Sequence, residues 1–257
     1  MFSLLSLFSR YRCYVLASLC LFISIPSFAQ SIITLYANGT SAAAVTLHYA
    51  EPVRLAQVVS DSLKQRTVSE TSYWLGSSLS TATEPKTKQA LITQLTQLSQ
   101  QHRDDVLVSD SFANTAQWLQ QHIYHQRLPV NIDIDKVRLN KADNPLLNGN
   151  YQLQLANRPT SVIVIGAIEK PQTITWQPRM AAKEYLTQVT PLTIAANSEV
   201  TVIQPDGVIQ QHPIAYWNNN HNDIAPGAII FIGYQSLFHN YSELNHAISS
   251  MLTNRTL

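Results

Sequence analysis

Cysteine is almost missing from this chain: its 257 residues contain two, Cys13 and Cys20, both near the amino terminus. Glycine is scarce, at 7 residues, and charged side chains make up only 13% of the sequence. No apolar run reaches the roughly 20 residues that a membrane-spanning helix needs. Each shortage excludes something. Beyond residue 20 there is no thiol nucleophile, no thiolate metal site and no disulfide, so folding rests on burial alone. No glycine-rich phosphate loop is present, nor is His-Glu-x-x-His or Gly-x-Ser-x-Gly. A formal charge of +1, from 17 basic and 16 acidic residues, provides no field that would draw nucleic acid.

What is present begins with an export signal. Arg10 and Arg12 form a positive region, Cys13 to Ile25 an apolar stretch, and Pro26 a break. Ser27 and Ala29 then put small residues at the two positions a signal peptidase reads, so residues 1–29 are expected to be cleaved before Gln30. The apolar stretch is too short for an uncleaved anchor. A lipid-anchored variant would use Cys20, but Leu19 stands where a small residue is needed. Cleavage removes both cysteines, Arg10 and Arg12, and turns the formal charge of +1 into −1.

From Gln30 onward the chain opens with Ile32-Ile33-Thr34-Leu35-Tyr36, an Asn38-Gly39 turn and Ala44 to Tyr49, two β-rich runs that predict a hairpin. Pro52 follows, then a helical stretch with Leu55, Val58, Val59 and Leu63 on one face. The same order returns later. Ser161 to Ile168 is a buried type of strand, Glu169-Lys170-Pro171 a turn and Gln172 to Trp176 the returning strand. Pro178 then precedes a helix carrying Ala182, Tyr185, Leu186 and Val189.

Setting Pro52 against Pro178 gives an offset of 126 residues. Setting Leu146, Gly149, Tyr151 and Leu153 against Ile224, Gly227, Ile229 and Phe231 gives 78. If the halves are duplicates, the first must hold 48 extra residues after its helix. Lys86 to Arg103 and Asp110 to Arg127 supply most of them. Neither segment contains Gly or Pro, and Leu91, Leu95 and Leu98 share one helical face, as do Phe112, Ala116, Leu119 and Ile123. An antiparallel helical hairpin is expected there, its second helix capped by Ser109 or Asp110.

Hairpin, helix and further strands describe a β-grasp, a roll in which one helix covers a mixed sheet. The expected architecture is α+β, with two tandem β-grasp domains. The first covers 30–160 and holds the helical hairpin at about 86–127; the second covers 161–234. An amphipathic helix completes the chain over 235–257, helical from Gln235 to Asn254. Its apolar seam is Leu237, Tyr241, Leu244, Ile248 and Met251. That seam either folds back on its own domain or docks on a partner helix or a membrane surface. Arg255 is its only nearby basic residue besides histidines, which argues against electrostatic attachment to lipid.

Three segments carry a resemblance: VIVIGAIEKPQTITW, VTVIQPDGVIQQHPI and NDIAPGAIIFIG. The strand ending in Gly166 with Pro171 closing its turn, the Pro205-Asp206-Gly207 hairpin and the Pro226-Gly227 step resemble the soluble ligand-binding β-grasp domain of outer-membrane polysaccharide exporters. With the stretch from Leu128 to Pro159, the whole chain beyond Gln30 is similar to the GfcC-type capsule-biosynthesis family. The resemblance implies a periplasmic, non-enzymatic accessory protein in assembly or export of a capsule or O-antigen-like polysaccharide. Its implied partners are the polysaccharide, the outer-membrane exporter or both. Neither a cofactor nor nucleic acid is called for. A periplasmic glycan hydrolase or lyase is the alternative, and a purely structural adaptor a third reading.

Candidate residues follow from side-chain chemistry. Arg127 and Arg138 flank the return into the first sheet and suit an anionic group, or an ordinary salt bridge. Trp74, Trp118, Trp176 and Trp217 suit stacking on sugar rings or packing in the core; Trp217, in the polar run AYWNNNHND, is the candidate for stacking. Asp133 and Asp135 form an Asp-x-Asp that on a strand would put both carboxylates on one face and suit a metal; a solvated face or turn contacts is the ordinary reading. His122 and His125, spaced i, i+3 on the second hairpin helix, lack a third zinc ligand. His212, His221, His239 and His246 are scattered. No residue is assigned to catalysis or to a metal.

Overall fold

The computed structural model describes residues 30–37, 45–65, 72–215 and 222–257; residues 1–29, the Asn38-Gly39 turn, Trp217 and His221 lie outside them. The first half runs β1 (Ser31–Ala37), β2 (Val45–Tyr49), β3 (Val53–Arg54), α1 (Leu55–Leu63), β4 (Ser78–Thr81), α2 (Thr87–Gln101), α3 (Val106–Gln121), α4 (Ile134–Leu139), β5 (Leu146–Leu147) and β6 (Gly149–Leu155). The second runs β7 (Ser161–Gly166), β8 (Gln172–Thr175), α5 (Ala182–Leu186), β9 (Glu199–Ile203), β10 (Ile209–Pro213), β11 (Ile229–Ile232) and α6 (Ser242–Leu252). Sheets and helices share the chain in an α+β arrangement.

Alternation sets the first sheet. Ser31, Ile33 and Leu35 point into the core while Ile32, Thr34 and Tyr36 are half-buried, the period of two that a strand imposes. The sheet order is β2-β1-β6-β4, with β1 parallel to β6 and the other pairs antiparallel. The second sheet is β10-β9-β11-β7-β8, with β7 parallel to β11. Read from the hairpin edge, both place a returning strand, the opening strand, a late parallel strand and then an antiparallel one. These four strands therefore follow the same order in both sheets. Gly149 and Gly227, matched in the sequence, both hold positive φ, at 107° and 91°, where the chain turns toward each late strand. A β-carbon on Gly227 would also come within 2.8 Å of Pro159.

Two hydrophobic clusters form. One joins Ile33, Leu35, Val58, Leu79, Ile132 and Leu153 between the first sheet, α1 and α4. The other gathers the second sheet with α5 and α6, and it also takes in α2 and α3. The helical pair thus leaves the chain between β4 and β6 but buries its apolar face beneath the second sheet. Phe112 stacks on Tyr234 with ring centroids 4.4 Å apart, the Ser111 hydroxyl donates to the Gly166 carbonyl at 2.9 Å, and Asn114 Nδ2 donates to the Glu169 carbonyl at 2.8 Å.

Helix ends depart from expectation for local reasons. Helix α3 starts at Val106 rather than near Asp110, because Asp105 accepts from the Val108 N–H at 3.2 Å and caps it. It stops at Gln121, and His122 is extended. The carboxy-terminal helix covers 242–252, not 235–254. The Asn245 side chain clamps Tyr234 through both its N–H and its carbonyl, at 2.9 Å and 2.8 Å. The Gln235 N–H donates to the Ile194 carbonyl at 2.6 Å. Backbone groups tied in this way cannot join a helical ladder. Among the described residues no helix is long and apolar enough to cross a membrane.

Candidate functional site

The two sheets meet along a seam, and the residues that close it also build a cleft. Arg127 is the bolt. Its guanidinium donates from Nη1 to the Pro205 carbonyl at 2.8 Å and from Nη2 to the Ser77 carbonyl at 3.0 Å, and its N–H donates to Asn254 Oδ1 at 3.0 Å. Three distant segments are held by one residue. Burial lowers the Arg127 pKa to about 10, with Asp206 opposing the shift, so it stays cationic at neutral pH. Gly76 lets the layers close, since a β-carbon there would lie 2.6 Å from the Leu257 side chain.

Around this bolt the surface opens into two lobes that share Leu75, Asp206 and Val208 as a wall. One, of about 530 Å³, runs past Trp74, Arg127, Asn131, Asp133 and Lys136. The other, of about 680 Å³, is built on Tyr73 and Trp176. The polar ends of both rings are fixed to one segment. The Tyr73 hydroxyl donates to the Pro226 carbonyl at 3.2 Å, and Trp176 Nε1 donates to the Ile224 carbonyl at 2.7 Å. Burial raises the Tyr73 pKa; the nearby Arg158 charge opposes the shift. Gln204, itself buried, holds the segment in place. Its side chain donates to the Asp223 carbonyl at 2.9 Å and accepts from the Ala225 N–H at 3.1 Å.

Two arginines stand in this second lobe. The Arg158 guanidinium lies 5.4 Å from the Tyr73 ring centroid and 5.5 Å from that of Trp176, within cation–π range of both. Arg179 is the non-glycine residue with positive φ, 60°, among those described, a strain on the order of 1 kcal/mol. Neither arginine makes a hydrogen bond or ion pair among the described residues. Asp206 and Asp223 line the same lobe, the Asp206 carboxylate accepting from the Val208 N–H at 3.0 Å. The arrangement offers aromatic faces, free guanidinium donors and carboxylate acceptors: the side chains that hold a polar ring with many hydroxyls.

Comparison with known proteins decides the family. The sequence profile described as "Capsule biosynthesis GfcC, N-terminal" matches residues 29–158, and "Capsule biosynthesis GfcC C-terminal" matches residues 170–256. YjbG of Escherichia coli (strain K12), which carries the description "Uncharacterized protein", is 32% identical over 211 residues, covering 80% of this chain and 82% of its own. The chain belongs to the GfcC capsule-biosynthesis family.

In this GfcC-family chain the expected site residues are dispersed. Arg127 lines the first lobe but spends its fork on two backbone carbonyls. Arg138 is exposed in the last turn of α4 and is not part of either lobe, so the two arginines do not act together. Trp217 lies outside the described residues. The tryptophans part company: Trp74 and Trp176 reach the cleft, while Trp118 stacks on His122 with centroids 3.9 Å apart. Asp133 is the N-cap of α4 and accepts from the Asp135 N–H at 3.1 Å, the turn contact that was the ordinary reading of the pair.

His122 and His125 do not share a helix, because α3 ends before them. His122 bonds the Trp118 carbonyl at 2.7 Å, and burial lowers the pKa of both rings. Among the described residues no group of three or more His, Cys, Asp or Glu side chains comes together as a metal site would require. The carboxy-terminal seam turns inward: Tyr241, Leu244, Ile248 and Met251 are buried in the chain's own core and unavailable to a partner. Leu237 precedes the helix and is 98% exposed. Sequence reading missed Tyr73, Arg158 and Arg179. They sit in connecting segments with no periodicity, and only the fold brings them within reach of Trp176.

Proposed function

We propose that this chain is a periplasmic, non-catalytic accessory protein in assembly or export of a surface polysaccharide, and that it binds glycan in the cleft between its sheets. The observation that carries the reading is the cleft itself. Both halves contribute walls, its two aromatic rings are anchored at their polar ends, and the guanidinium donors of Arg158 and Arg179 make no hydrogen bond among the described residues. Family membership supports the polysaccharide link, and the signal-like pattern of Arg10, Arg12, the apolar stretch and Ala29 in the sequence supports the compartment. On this reading the sheets are two β-grasp domains, the helical pair is an insertion into the first, and the outer-membrane exporter is the protein partner. Deleting the gene should lower or alter surface polysaccharide on the host cell; an unchanged capsule and lipopolysaccharide profile would refute the reading.

One observation favours a second reading. Asp206 and Asp223 both line the larger lobe, and paired carboxylates across a cleft are the signature of glycoside hydrolysis. A hydrolase or lyase would shorten the host polysaccharide in the presence of purified protein, and Asp223→Asn would stop it. The accessory-protein reading expects no shortening in either case.

A further inference from the structure

The larger lobe has more structure than glycan binding in general requires. We infer that it is selective for acidic sugars, with Arg158 and Arg179 taking the sugar carboxylate while Asp206 and Asp223 accept from ring hydroxyls. This rests on the glycan-binding reading and sharpens it to a chemical class.

The argument starts from Arg158. A long, exposed side chain ordinarily loses rotamer freedom when it binds. Here the Tyr73 and Trp176 rings flank its guanidinium, and both rings are themselves tethered, to Pro226 and Ile224. The planar fork is held in advance, while its N–H donors have no acceptor among the described residues. A preorganised fork without a partner matches the bidentate geometry of a carboxylate. Arg179 adds the second cation, on backbone held at φ 60° where glycine would be easier. A left-handed arginine in a cleft is a strain that some gain must offset. The rest of the lobe suits a sugar better than a bare anion. It holds about 680 Å³, has aromatic walls and carries two carboxylates whose oxygens suit ring hydroxyls.

The test uses the full exported chain and isothermal titration with oligogalacturonate, with its fully methyl-esterified form and with acetate. The acid form should bind at least about tenfold tighter than the ester, since charge-assisted hydrogen bonds are the stronger ones. Acetate at millimolar concentration should not compete. Arg158→Gln should erase the preference for the acid form. Arg179→Gly should weaken binding by several-fold while raising the melting temperature, because it removes the cation and the strain together. Equal binding of acid and ester would overturn the acidic selectivity and leave the glycan reading standing. Competition by acetate would reduce the lobe to a simple anion site. Binding of neither saccharide would overturn both readings.

Discussion

Arg127 shows how one side chain can look like a ligand site and serve as a fastener. Its sequence position suited an anionic group or an ordinary salt bridge; the folded chain gives its fork to Pro205 and Ser77 and its backbone to Asn254. Arg127→Met should therefore cost about 2–4 kcal/mol in urea denaturation, because two carbonyls lose their partner. Arg127→Lys, which keeps the charge but cannot fork, should fall between. The histidines give a pH dependence of definite sign. Burial holds His122 and His125 below the usual imidazole value of 6.5, so the unfolded chain binds protons more readily. Stability should be fullest above pH 6.5 and fall as pH drops through and below it. A melting-temperature series from pH 7.5 to 5 should show that fall, and His122→Gln with His125→Gln should flatten it. None of this was legible in the sequence, where the two rings share a helical spacing that the helix does not reach.

At the level of elements, periodic patterns were legible and ends were not. Leu55, Val58 and Val59 face the core from α1 as their spacing requires, and Leu91, Leu95, Phe112, Ala116 and Leu119 do so from α2 and α3. Ile123 shared that expected face, yet α3 stops at Gln121 and Ile123 is exposed. Spacing could not reveal which sheet the helical pair would cover, because burial periodicity names a face and not its partner. The second sheet is that partner, and Phe112→Ala should cost about 3–5 kcal/mol by emptying the contact with Tyr234. Tyr234→Phe should cost about 1–2 kcal/mol, since its hydroxyl meets Thr115 at 2.9 Å. The carboxy-terminal seam was legible from Tyr241 to Met251, but its start was lost to the Asn245 clamp, a side-chain contact no hydropathy pattern encodes. Leu237→Ser with Phe238→Ser should leave the melting temperature unchanged, both residues being nearly fully exposed.

For the whole molecule, an α+β chain and its opening hairpins were legible in the sequence, whereas the cleft arises only when the two halves close on each other. Tyr73, Arg158, Trp176 and Asp206 come from four separate connections, and the seam held by Arg127 decides their spacing. On the proposed function this cleft, and not a catalytic centre, links the chain to surface polysaccharide. Leu75 and Val208 form the wall common to both lobes and are 39% and 49% exposed, so changing them should spare the core. The direct measurement is the amount of surface polysaccharide in a deletion strain complemented with the Leu75→Glu, Val208→Glu chain, at wild-type protein level. The blocked chain should fail to restore polysaccharide where the unaltered chain succeeds; full restoration by the blocked chain would contradict glycan binding in the cleft.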